Sequence, residues 1–129
     1  MLDHVGIPVS DFKRSKGFYM QVLKPLGYGL VMEVSSKETG GENQAGFGAG
    51  KRPQFWIGTG TPIKGQVHFA FLATNRDAVR AFYDAAMKAG GKDNGAPGLR
   101  PHYHENYYGA FVLDPDGHNI EAVCHTPGH

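Results

Sequence analysis

Apolar and polar positions alternate at the start of the chain. Val5, Ile7 and Val9 fall on one side and His4, Gly6 and Pro8 on the other. That period of two is the pattern of a strand packed on one face, and it predicts β structure over residues 2–9. The period then lengthens to that of a helix, with Phe12, Tyr19, Val22, Leu23 and Leu26 forming an apolar stripe. Ser10 and Asp11 supply an N-cap and a negative charge at its start, and Pro25 and Gly27 mark its exit. Strands are predicted over 28–34, 45–48 and 54–57, around a polar, glycine-rich stretch at 35–53. The same order then returns. Residues 66–73 alternate, with Val67, Phe69 and Phe71 opposite His68 and Ala70. Asn75 opens a helix carrying Val79, Phe82, Tyr83, Ala86 and Met87, which Gly90 and Gly91 close. Residues 92–106 predict a loop with at most one short strand. Residues 107–113 and 118–124 predict a hairpin across Asp114, Pro115, Asp116 and Gly117, all turn formers.

The return is a sequence repeat as well as a pattern. Residues 3–27 align without a gap to positions 64 further on, pairing His4 with His68, Asp11 with Asn75, Phe18 with Phe82, Tyr19 with Tyr83 and Gly27 with Gly91. One small module is used twice, with a histidine at the same place in each copy. A chain of 129 residues, 40% of them hydrophobic, supports one buried core and not two independent ones. The expectation is a single domain over 1–129, with modules at about 1–60 and 64–129 that fold together or pair across a homodimer.

Charge narrows the function classes. Thirteen basic and twelve acidic residues give a formal net charge of +1. No predicted helix carries a basic stripe, so neither nucleic acid nor an anionic membrane surface is the expected partner. The opening MLDHVGIPV carries Asp3 and no long apolar run, which predicts neither a signal peptide nor a membrane span. The single Cys124 has no partner for an internal disulfide, which suits a reducing, cytoplasmic compartment. The glycines at 46, 48 and 50 before Lys51 do not make a phosphate loop, because Arg52 stands where Ser or Thr is required.

Strand parity brings chemistry together. His4 and His68 occupy the strand face opposite the helix-packing residues. In the last strand Ile120, Ala122 and Cys124 share one face, which leaves Asn119, Glu121 and Val123 on the other. Two imidazoles and a carboxylate therefore fall on the sheet surface that the helices do not cover. Such groups need partners, and one divalent ion would satisfy all three while keeping positions open for water or substrate.

These segments carry a resemblance. LDHVGIPVSD, the FY pair in the first helix, VHFAF and AFVLDPDGHNIEAV are similar to the vicinal oxygen chelate superfamily, which includes glyoxalase I, fosfomycin-resistance proteins, bleomycin-resistance proteins and extradiol dioxygenases. The resemblance covers essentially the whole chain. It implies an α+β fold of two βαβββ modules paired into a curved mixed sheet, with a metal-binding cleft and helices on the outer face. By position it implicates His4, His68 and Glu121 as metal ligands. One departure stands out. Glyoxalase I enzymes take a fourth ligand from the last strand of the first module, and the 64-residue offset from Glu121 lands on Ile57. The neighbours Phe55, Trp56 and Gly58 offer no carboxylate, and Gln54 offers only an amide oxygen.

The segment GLRPHYHENYYGAF supplies the remaining polar groups. Arg100 is an anion anchor, His102, His104 and Tyr107 are acid, base or donor candidates, and Tyr103 and Tyr108 are phenols for substrate contact. Trp56 is a candidate cleft wall. The resulting expectation is a glyoxalase-like lyase or isomerase that uses one divalent ion (Zn, Ni, Mn or Fe(II)) and acts on a small-molecule substrate with adjacent oxygen atoms. Extradiol dioxygenase, fosfomycin-resistance-like transferase and non-catalytic sequestering protein are the alternatives. A domain-swapped dimer, in which one chain supplies His4 and the other His68 and Glu121, satisfies the same parity.

Overall fold

The computed structural model describes residues 1–35, 37 and 40–128. Part of the loop expected over 35–53, at positions 36, 38 and 39, lies outside the described residues. The first module runs through β1 (Val5–Val9), α1 (Phe12–Leu23), a single 3-10 turn (Lys24–Leu26), β2 (Gly29–Val34), β3 (Gln44–Gly48) and β4 (Phe55–Thr59). The second runs through β5 (His68–Leu72), α2 (Arg76–Lys88), β6 (Lys92–Leu99), β7 (Tyr108–Leu113) and β8 (Asn119–Cys124).

Local chemistry sets the boundaries. Asp11 accepts a hydrogen bond from the Arg14 amide at the start of α1, and Asn75 does the same for Ala78 at the start of α2. Gly27 ends the 3-10 turn in a left-handed conformation, φ 85°, which glycine adopts without a Cβ clash. β6 is the main departure from expectation, an eight-residue strand where at most a short one was expected. Its sequence KDNGAPGL has neither alternation nor β-branched residues. It forms by pairing irregularly with β7, with register shifts on both sides of Gly95. As an edge strand it accommodates Pro97.

Each module builds its own four-stranded mixed sheet, in the orders β1-β4-β3-β2 and β5-β8-β7-β6, with the first and last strands of each module parallel. The two sheets do not merge into one, nor do they close into a barrel. Their helix-covered faces share one core instead, with Ile7, Val9, Phe18, Tyr19 and Phe47 from the first module and Val79, Phe82, Val112 and Ile120 from the second. The Phe55 ring meets Phe69 at 5.6 Å and Phe71 at 5.2 Å, both edge-on, joining β4 to β5.

A polar tie reinforces this union. The Tyr19 hydroxyl, buried on α1, donates to Asp114 Oδ2 at 2.5 Å in the β7–β8 turn. Asp114 Oδ1 accepts the amides of Asp116 and His118, both at 2.9 Å. The backbone amide of Ser10 donates to Asp116 Oδ2 at 3.1 Å. Burial raises the Tyr19 phenol well above its ordinary pKa, with the Asp114 charge adding to the shift, so it remains a donor. The DPDG turn is therefore the socket for the start of α1. His118 is buried beside this turn.

Candidate metal centre

Two open sheet faces remain, one per module. On the second sheet, paired residues share a face, and the pairings His68 with Asn119 and Ala70 with Glu121 put His68, Asn119 and Glu121 on the same side. Phe111 joins them through its pairing with Glu121. The His68 Nδ1–H donates to the Asn119 carbonyl at 3.0 Å, which aims Nε2 at Glu121 Oε1, 3.1 Å away. That is how a metal-binding histidine is usually held, with one nitrogen tied to a carbonyl and the other turned outward. The His68 ring also stacks on Phe111, with centroids 6.1 Å apart and 26° between planes.

Glu121 is only 1% exposed, whereas the His68 side chain is 46% exposed. A buried carboxylate is costly unless its oxygens are paired. Here Oε2 accepts the Tyr107 hydroxyl and Oε1 faces His68. Burial, and then the hydrogen bond to Glu121, push the Tyr107 phenol well above its ordinary pKa. Tyr107 is thus a proton donor to the carboxylate rather than a base.

Arg100 reaches the same face. Its guanidinium lies 5.4 Å from the Phe111 ring centroid, and its Nη atoms donate to the carbonyls of Gly98 at 2.8 Å and Ala96 at 2.9 Å. A Cβ at Gly95 or Gly98 would come within 3.2 or 3.1 Å of this guanidinium, so both glycines clear its seat. Among the described residues no carboxylate pairs with Arg100. Its orientation is fixed while its charge stays available to an anion. His102, Tyr103 and His104 belong to the folded loop between Arg100 and Tyr107. Tyr103 packs edge-on to Tyr107 at 5.0 Å and on His102 at 4.2 Å. His104 Nδ1 accepts the Asn106 amide at 3.1 Å. Its ring lies 5.5 Å from His125, which also meets Tyr107 at 5.4 Å. His125 is a neighbour that sequence reasoning missed, since it lies beyond the last predicted strand.

Tyr108 does not belong to this face. Alternation along β7 turns it toward α2, where its ring sits against Arg76 and Arg80 and its hydroxyl accepts from Arg80 at 3.0 Å. The expectation that it contacts substrate is corrected accordingly.

His4 lies one residue before β1, at the end of the other sheet. It is 60% exposed, bonded through Nδ1 to Asp3 at 2.8 Å, and lines a depression with Gly6, Gln44, Arg52, Pro53 and Trp56. Among the described residues no three His, Cys, Asp or Glu side chains of one chain are grouped to hold an ion. The structure therefore brings His68 and Glu121 together and leaves His4 in a separate half-site. Sheet pairing also moves the fourth-ligand position. Gly6 pairs with Trp56 as its repeat mate Ala70 pairs with Glu121, so Trp56, and not Ile57, corresponds to Glu121. Ile57 is in the core. The indole lies over Gly46, where a Cβ would approach to 2.9 Å. Gln54 lies outside the His4 depression, whereas Gln44 lines it.

A histidine nitrogen and a carboxylate oxygen converging on an open face fit part of the shell of an N/O-ligated divalent ion, which needs at least one further protein ligand. Paired βαβββ modules, each with an open sheet face, define the class by fold. The chain belongs to the Glyoxalase/Bleomycin resistance protein/Dioxygenase superfamily, whose model matches residues 1–122. It is similar to a glyoxalase/bleomycin resistance protein from Albidiferax ferrireducens, with 29% identity and a TM-score of 0.73 over 98% of this chain and 99% of that one. A mutant of the fosfomycin resistance protein FosX from Listeria monocytogenes, complexed with Mn(II) and 1S,2S-dihydroxypropylphosphonic acid, aligns at 16% identity and TM-score 0.70, covering 98% and 90%. A glyoxalase I mutant from Zea mays aligns at 20% and 0.70, covering 95% of this chain but 43% of that longer one. Comparison with curated proteins gives no match. Among the described residues no helix is long and apolar enough to cross a membrane.

Proposed function

We propose that this chain is a divalent-metal enzyme of the glyoxalase-like type, acting on a small substrate with adjacent oxygen atoms, and that its centre is completed in a homodimer. The observation that carries this reading is the convergence of His68 Nε2 and Glu121 Oε1 on an open face, with Nδ1 tied to a backbone carbonyl. His68 and Glu121 of one copy, with His4 from the open face of a second, would hold Zn, Ni, Mn or Fe(II). A bound ion supplies Lewis-acid stabilisation of the oxyanion formed in lyase or isomerase chemistry. Arg100 anchors an acidic group of the substrate, Trp56 walls the cleft, and His102 and His104 lie on the loop from which a proton is supplied. Trp56 in the place of a fourth carboxylate argues against a literal glyoxalase I reaction, because Glu121 is then the one carboxylate ligand left to shuttle the proton.

The test is the metal content of protein purified without chelator, beside a His68→Ala variant. About one transition-metal ion per chain is expected, falling at least about 10-fold in the variant. Protein that neither carries metal nor takes up Zn, Ni, Mn or Fe(II) overturns the reading and favours a sequestering protein. Arg100 makes a separate prediction. Arg100→Met is expected to weaken binding of an acidic ligand such as phosphonoacetate by about 10-fold or more, with metal content unchanged, because a charge-assisted contact is lost. Isothermal titration of the metal-loaded protein checks it.

A further inference from the structure

The two oxygens of Glu121 are treated differently by the fold. Oε1 faces His68 Nε2 at 3.1 Å, while Oε2 accepts the Tyr107 hydroxyl. Gly109 makes this second contact feasible. A Cβ there would lie 3.1 Å from Glu121 Oε2 and 3.2 Å from Tyr107 Cε1, inside the space the hydrogen bond occupies. The phenol ring is in turn braced by Tyr103 at 5.0 Å and His125 at 5.4 Å, both edge-on. Glu121 is therefore clamped from its outer oxygen by a residue that is itself held in place.

A carboxylate free to turn can close on a divalent ion with both oxygens, and each oxygen it contributes removes a position that a chelating ligand needs. A phenol donating to one oxygen opposes that turn, because a hydrogen bond to an ionised acceptor is among the stronger ones. We propose that Tyr107 is a positioning residue that confines Glu121 to coordination through Oε1 alone, so that the ion keeps adjacent positions open for a ligand with two neighbouring oxygens. The proposal rests on the metal reading above and assigns Tyr107 no contact with substrate. It also makes the Arg100–Tyr107 loop part of the metal centre's support, since Tyr103 of that loop braces the Tyr107 ring.

The test uses Mn(II) as the ion and oxalate as a probe with two neighbouring oxygens, on wild-type, Tyr107→Phe and Gly109→Ala proteins. Mn(II) binding is followed by the loss of the free-ion EPR signal, and oxalate binding by its effect on the bound-ion spectrum. Mn(II) is expected to remain bound to Tyr107→Phe, with an altered spectrum before oxalate is added, and oxalate to bind about 10-fold more weakly or worse. Gly109→Ala, which displaces the phenol without removing it, is expected to shift oxalate binding in the same direction. Unchanged oxalate affinity and an unchanged Mn(II) spectrum in Tyr107→Phe overturn the proposal and leave the metal reading standing. Failure of the wild-type protein to bind Mn(II), or any of the other ions, overturns the metal reading and the proposal together.

Discussion

Asp114→Ala is expected to destabilise the protein by about 3–5 kcal/mol, because it strips the partner from the buried Tyr19 hydroxyl and His118 amide and from the part-buried Asp116 amide. The carboxylate is 5% exposed and accepts from the Tyr19 hydroxyl and from the amides of Asp116 and His118. Its loss uncouples α1 of the first module from the β7–β8 turn of the second, so the effect spreads beyond the turn. In a chain of this size the melting temperature should fall by about 10 °C or more. Tyr19→Phe removes only one of these bonds, and a smaller loss of about 1–2 kcal/mol is expected. Wild-type and Tyr19→Phe proteins also differ in pH dependence. Folding raises the Tyr19 pKa above its ordinary value, so the folded state holds this proton more tightly than the unfolded chain. That contribution is complete below the unfolded value and declines as the pH rises beyond it, about pH 10 upward. Wild-type protein should show this alkaline decline and Tyr19→Phe should lack Tyr19's share of it. Urea unfolding across pH measures both effects, and an Asp114→Ala loss below about 1 kcal/mol would show that the tie is not structural.

The repeat and the strand parities were legible because periodicity depends only on which side chains face the core. His68 opens β5 and shares an open face with Glu121, as parity requires, whereas His4 lies one residue before β1. What sequence could not supply was the relation between modules. Parity is indifferent to whether two open faces look at each other or away, and here the shared aromatic core between Phe55, Phe69 and Phe71 sets them apart. The gap-free offset also failed by one residue beyond the helix. The second module is one residue longer between its first and last strands, so Trp56 rather than Ile57 answers to Glu121. β6 escaped because pairing with β7, rather than any propensity of KDNGAPGL, makes it a strand. DPDG announced a turn, but the role of Asp114 as an acceptor for Tyr19 depends on a contact 95 positions away in sequence. Tyr108 was misplaced because neighbouring tyrosines in a strand face opposite sides, and only Tyr107 faces the site.

The separation of His4 from His68 and Glu121 yields the sharpest expectation for the proposed homodimer. His4→Ala and His68→Ala proteins should each lose tight metal binding, since each variant homodimer lacks one imidazole in both of its sites. Mixed and allowed to exchange subunits, the two should recover it in part. A heterodimer of the variants has one site missing both histidines and one with the full set, drawn from His4 of one chain and His68 and Glu121 of the other. With random exchange about half the dimers are mixed, so about one quarter of the wild-type tight sites should return. A site formed within a single chain predicts no recovery at all, because every chain would still lack one ligand. The control is His68→Ala mixed with Glu121→Gln. Both of those residues lie on the second sheet of one chain. Every shared site would then carry one defect or the other, and no recovery is expected. Metal titration of the mixtures after exchange therefore separates a centre shared between copies from one contained in each chain. Recovery in the control as well would show that His68 and Glu121 do not serve the same ion.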